Sequence, residues 1–135
     1  MIGPKADKPT TAEASAARKY VEARSGGLCE GCGVRRATDM HHRLYKSRGG
    51  TDTIDNLIHL CGSDNGLPGG NHSGCHGLAH TITGERVGWS VKSGNDPAVI
   101  PIWHRRTQGW TVADAPVPAA AALEILATFG QAVAV

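Results

Sequence analysis

Between residues 29 and 80 the chain spaces its metal-binding side chains in a fixed order: Cys29-x-x-Cys32, His41-His42, Cys61, then Cys75-His76-x-x-x-His80. No other feature limits the fold as much, because four thiols and a set of imidazoles must each converge on a point. With 135 residues, 18 glycines and an aromatic content of 4%, the chain has little with which to build a large core. Small domains with thin cores are usually stapled by disulfides or by a metal. Residues 1–17 hold no apolar run resembling a signal peptide, and no stretch reaches membrane-spanning length. The expectation is a cytoplasmic chain whose reduced thiols hold zinc rather than one another.

A C-x-x-C knuckle is half of a tetrahedral zinc site and needs a second pair of soft ligands. Cys61 and Cys75 supply that pair although 13 residues, 62–74, separate them. Closure entropy grows only logarithmically with loop length, so such a loop can be threaded out at little cost. Cys29, Cys32, Cys61 and Cys75 are therefore assigned to one structural zinc. His76 and His80 are four apart, which on a helix places both on one side. His41, arriving from a strand, completes a set of three nitrogens and leaves open positions for water and substrate, as a catalytic ion requires. Imidazole ligands suit Zn2+, Ni2+, Co2+ or Mn2+ better than Mg2+, which prefers oxygen.

His42 is the candidate general base, since an imidazole of near-neutral pKa can deprotonate an attacking water. Neighbours in a regular strand point to opposite faces. His41 and His42 share a cleft only if the strand ends or bends there, which the loop 43–50 permits. Asn56 is expected to hydrogen-bond across that loop and fix its shape. His59 reads as a packed or edge residue, His72 as part of the long loop and His104 as surface; none is given a role.

The formal net charge is only +2, but Arg35, Arg36, Arg43, Lys46 and Arg48 cluster around the double histidine. Such a strip suits a phosphate backbone. Arg18, Lys19 and Arg24 could also touch nucleic acid, or form a solvated helix face.

The pattern Thr10-x-x-Glu13 is a capping box that opens a helix to about Arg24, stopped by Gly26-Gly27, with Tyr20 and Val21 on its docking face. Strands are expected near 38–42 and 56–61, with loops at 46–56 and 62–74. A helix capped by Asn71 or Ser73 should then run to Gly84. Beyond Glu85, three short strands are read at 88–91, 99–104 and 109–112, with a turn at 93–97. An Ala-rich tail follows Pro116 and Pro118 and forms a marginal helix. The division is an N-terminal arm and helix (1–27), a core (28–84), a short β extension (85–115) and the tail (116–135).

The stretch CEGCGVRRATDMHHRLYKSRGGTDTIDNLIHLC followed by GCHGLAH, residues 29–80, resembles the HNH endonuclease family. The resemblance implies an α+β fold with a small ββα-metal core of the His-Me finger type, here with an N-terminal helix and a short-stranded C-terminal extension. It also implies a metal-dependent DNA endonuclease that leaves 5′-phosphate and 3′-hydroxyl ends. His41, His76 and His80 then look like the catalytic metal ligands, His42 the general base, Asn56 the middle asparagine and the cysteines a bracing zinc knuckle. Arg43, Lys46 and Arg48 become the candidate DNA contacts. The extension is similar to those of actinobacterial and phage members, some of which lie beside the DNA-packaging terminase, making terminase a candidate partner. The other reading is a zinc-stapled DNA-binding module without cleavage. An intact His42 argues against it, because binding alone needs no base beside a metal.

Overall fold

The computed structural model describes residues 8–62 and 73–133. Helix α1 (Thr11–Ser25) opens as its capping box dictates: Glu13 N donates to Thr10 Oγ1, and Thr10 N donates to the Glu13 carboxylate. It closes on Gly26, whose left-handed backbone (φ 61°) returns its N–H to Glu22 O. The chain then forms the Cys29–Cys32 knuckle and the hairpin β1 (Asp39–His42) and β2 (Leu57–Leu60). The two strands are antiparallel, with Asp39 opposite Leu60 and His42 opposite Leu57.

Because side chains alternate across a strand, the hairpin has two distinct faces. Leu57 and Met40 pack against Ala17 and Val21 of α1. Ile58 and Leu60 face the other way, into a cluster with Cys29, Cys61, Cys75, Ala79 and Trp89. Helix α2 (Gly74–Ala79) lies on that second face, completing a ββα unit in an α+β fold. Tyr20, expected on the docking face of α1, is instead exposed and donates to Asp114 at 2.7 Å.

The helix expected to run to Gly84 divides in two. It stops at His80, Thr81 is extended, and α3 (Ile82–Arg86) begins afresh. Thr81, Ile82 and Thr83 are consecutive β-branched residues, which weaken a continuing helix. Gly84 then passes so close to the Ala79 backbone that a Cβ there would collide with it. Ser73 is the N-terminal flanking residue of α2, but its hydroxyl donates to Gly62 O rather than capping. Asn71 and His72 lie outside the described residues.

Three strands follow residue 85; two fall within the expected 99–104 and 109–112, and the third lies at 115–117 instead of 88–91. They are β3 (Ile102–His104), β4 (Gly109–Val112) and β5 (Ala115–Val117), in the order β3-β4-β5. Segment 88–91 is not a strand. Trp89 is buried beneath the first hairpin, and its indole N–H donates to Trp103 O. The turn from β4 to β5 uses Ala113 and Asp114, both at positive φ, which closes a two-residue hairpin without the usual Asn-Gly. Pro116 sits in β5, at the sheet edge where a missing N–H is tolerated. Helix α4 (Ala119–Thr128) buries Ala122 and Leu126 against Val91, Ile100 and Trp110 in a second core. Among the described residues no helix is long and apolar enough to cross a membrane.

Candidate metal centres

The knuckle, the end of β2 and the start of α2 bring Cys29, Cys32, Cys61 and Cys75 together, with all four sulfurs within 4.8 Å of one another. The edge of a zinc–thiolate tetrahedron is about 3.8 Å for Zn–S bonds of about 2.3 Å, so the four could hold a metal ion. Three of the four are buried, and none is in a disulfide. A hydrogen bond from the Cys75 thiol holds Cys29 well below the usual thiol range. That same bond and burial push Cys75 up, and burial raises Cys61. Backbone amides also point inward: Cys32 N and Cys75 N approach the sulfurs of Cys29 and Cys61. The surroundings thus favour a negative sulfur at Cys29 and keep Cys75 and Cys61 protonated until an ion contributes its charge.

One residue further along α2, the direction of the side chain changes. His76 and His80 converge with His41 of β1, and one nitrogen from each lies within 4.8 Å of the others. His80 flanks the C-terminus of α2 rather than lying inside the helix. The tautomers follow from the partners. His41 Nε2 lies 2.8 Å from Trp89 O, a carbonyl that can only accept, so its Nδ1 carries the lone pair. His76 Nδ1 donates to Asp39 Oδ2 at 2.7 Å, leaving Nε2 for a metal. Tyr45 stacks on His80 with ring centroids 5.0 Å apart. Burial, then the neighbouring His76, hold His41 down to about 3, so it stays neutral and able to ligate across the ordinary pH range.

His42 belongs to the other face of the hairpin, yet the strand ends there and its ring lines the same cavity. That cavity, about 340 Å³, is bordered by Met40, His41, His42, Tyr45, Lys46, His76 and His80. His42 Nε2 donates to Asp52 Oδ1 at 2.5 Å, and Arg18 Nε donates to the second oxygen at 2.9 Å. Burial would raise the Asp52 carboxyl, but its bonds to His42 and Arg18 outweigh this and lower it. The Nδ1 atom of His42 is left as the acceptor.

Asn56 is buried and spans the connection between the strands. Its Oδ1 accepts from Leu44 N at 2.7 Å, and its Nδ2 donates to Leu44 O and Thr51 O. Gly50 is needed beside it, since a Cβ there would collide with the Leu44 carbonyl.

Arg43 corrects the expectation of a basic strip. It is 1% exposed, and its guanidinium donates to the carbonyls of Gly88, Asp55, Pro97 and Ile100. The strand alternation turns it inward with His41, where it ties the extension to the hairpin and cannot reach a phosphate. Lys46 and Arg48 are exposed, on a short 3-10 turn (Lys46–Arg48), with Arg48 lying 4.4 Å over the Tyr45 ring. Arg35 and Arg36 are exposed but sit on the knuckle. Arg24 makes two bonds to Glu30 and one to Leu57 O, so it braces α1 rather than offering a free cation. His104 is half-buried between Glu30 O and Thr111 Oγ1 rather than on the surface.

Sequence reasoning missed four supports of the site: Asp39, Asp52, Tyr45 and the Trp89 carbonyl. Strand alternation could have found Asp39, two residues before His41 on the same face. Nothing local announces Asp52, and the Trp89 contact spans 48 residues.

No curated protein and no solved structure matches this chain. Residues 29–68, which carry the knuckle, the double histidine and the whole hairpin, match the model of the family described as HNH endonuclease.

Proposed function

We propose that this chain is a metal-dependent DNA endonuclease that hydrolyses phosphodiester bonds in the cavity between β1 and α2. The observation that carries the reading is that His42, with its Nε2 held by Asp52, lines the same cavity as the three converging imidazoles. His41 Nδ1, His76 Nε2 and a nitrogen of His80 would hold one divalent cation. Such an ion supplies Lewis-acid stabilisation for the charge that gathers on the phosphoryl and leaving oxygens.

The remaining work falls to the protein. His42 takes a proton from the water as its oxygen bonds to phosphorus, the bond to the 3′ oxygen breaks, and that oxygen takes a proton from solvent water. The products are a 5′-phosphate and a 3′-hydroxyl. Asp52 holds the ring in the productive tautomer and favours the imidazolium that forms. Asn56 keeps the loop 43–56 closed, and Lys46 at the cavity edge offers a cation to the substrate backbone. Cys29, Cys32, Cys61 and Cys75 would hold a structural zinc beneath the site.

The test is cleavage of supercoiled plasmid with Mn2+, Ni2+, Co2+, Zn2+ or Mg2+. His42→Ala removes no proposed ligand, so metal and DNA binding should persist while the rate falls on the order of a hundredfold or more. Asp52→Asn should lower the rate by roughly tenfold or more, as partners that orient a reacting imidazole do. A wild-type chain that binds duplex but cuts under none of these metals would establish the non-cleaving DNA-binding module instead.

A further inference from the structure

Behind α2, on the flank away from His76 and His80, lies a groove of about 570 Å³. Its walls are the knuckle, Leu78 of α2 and the turn between β3 and β4. Arg35, Arg105 and Arg106 line it, and no carboxylate does so among the described residues. All three arginines are exposed, and none makes a side-chain hydrogen bond or ion pair among the described residues.

The groove is a fixed feature. Arg105 N donates to Gly31 O at 2.9 Å and His104 Nδ1 to Glu30 O, which anchor the turn to the knuckle. Gln108, at positive φ, closes the turn through a bond to Arg105 O. The Arg106 stem lies over Gly33 so closely that a Cβ at Gly33 would touch it. Cys32, Cys61 and Cys75 also line the groove, so two negative charges of a zinc–tetrathiolate site would face three guanidinium groups and leave the groove a net positive charge. Guanidinium forks match phosphate oxygens in geometry and charge.

We infer that this groove is a second phosphate-binding surface that grips the duplex outside the cleavage cavity, an inference resting on the nuclease reading. The extension then has a purpose that its core packing does not explain: it carries Arg105 and Arg106 to the knuckle and lengthens the footprint.

The experiment measures duplex affinity against salt for the zinc-loaded chain in a His42→Ala background, with and without Arg35→Gln, Arg105→Gln and Arg106→Gln. Glutamine keeps the stems that pack on the knuckle. Removing three phosphate contacts should reduce the slope of log K against log salt by about 2.7 and weaken binding at least tenfold at low salt. Zinc content and thermal midpoint, read on the same samples, should hold. Unchanged slope and affinity would overturn the groove while leaving the nuclease reading standing. A loss of zinc in the triple variant would also overturn it, showing that the arginines balance thiolate charge. A parent chain that fails to bind duplex at any salt would remove the nuclease reading and this inference together.

Discussion

The two candidate metal centres share a helix and differ in nearly everything else. Cys75 and His76 are adjacent on α2, yet one faces a closed set of four sulfurs and the other an open set of three nitrogens. The thiol cluster could fill all four positions of a tetrahedral ion and is packed with Ile58, Leu60 and Trp89. The imidazole cluster leaves positions free, borders a cavity, and has His80 exposed. A closed set serves stability and an open set serves chemistry. The short helix makes the second depend on the first, because six residues cannot form a stable helix alone.

The largest expected effect breaks the comparison at its base. Cys61→Ala should abolish folding, since structural zinc contributes on the order of 10 kcal/mol in domains of this kind. His76→Ala should keep the fold and lose cleavage. Circular dichroism melts alongside metal content would separate the two. A melt for Cys61→Ala like that of the parent would mean the thiols are merely packed.

Arg43 tests how the open cluster is supported. Its guanidinium fixes Gly88, next to the Trp89 carbonyl that orients His41. Arg43→Met removes a donor from four carbonyls, of which only Pro97 O keeps another among the described residues, Ile100 N, and should cost about 3 kcal/mol or more in urea unfolding. Metal affinity should weaken at the imidazoles, with the salt dependence of DNA binding unchanged. A flatter salt dependence would return Arg43 to the phosphate-binding surface.

The smallest effect is with acid. The folded His41 titrates near 3 against an ordinary value of 6.5, because burial excludes its charged form. The unfolded chain therefore binds a proton that the folded one refuses in that window. Stability should be full above 6.5 and fall as pH drops toward 3. His41→Gln, assayed by thermal melts from pH 7 to 5, should shallow that decline. An identical decline would place the acid sensitivity elsewhere, with His104, also lowered by burial, as the first candidate.

How far the chain could be read in advance divides along the same lines. The capping box of α1, the two strands of the hairpin and the grouping of cysteines and histidines are local or nearly so. Each rests on spacing, alternation or the preferences of a ligand set. The roles of Arg43 and His104 were not readable that way, because an arginine in a charged run looks solvated until its partners are known. Here those partners are carbonyls 12 to 57 residues away. The β3–β4–β5 sheet was displaced by one strand for a related reason. Trp89 and Val91 have strand-like composition, but the first hairpin offered the indole a deeper site than a sheet edge would.

Residue types and their order thus determined what could be built: two sets of soft and borderline ligands, a hairpin to carry one histidine, and a capped helix to cover it. The tertiary structure decided which nitrogen of each histidine is available, through Trp89 O, Asp39 and Asp52. It also decided which cations face solvent. Ligand spacing is a property of the local chain, whereas hydrogen-bond partners and burial arise only where distant segments meet, and those set tautomer and charge.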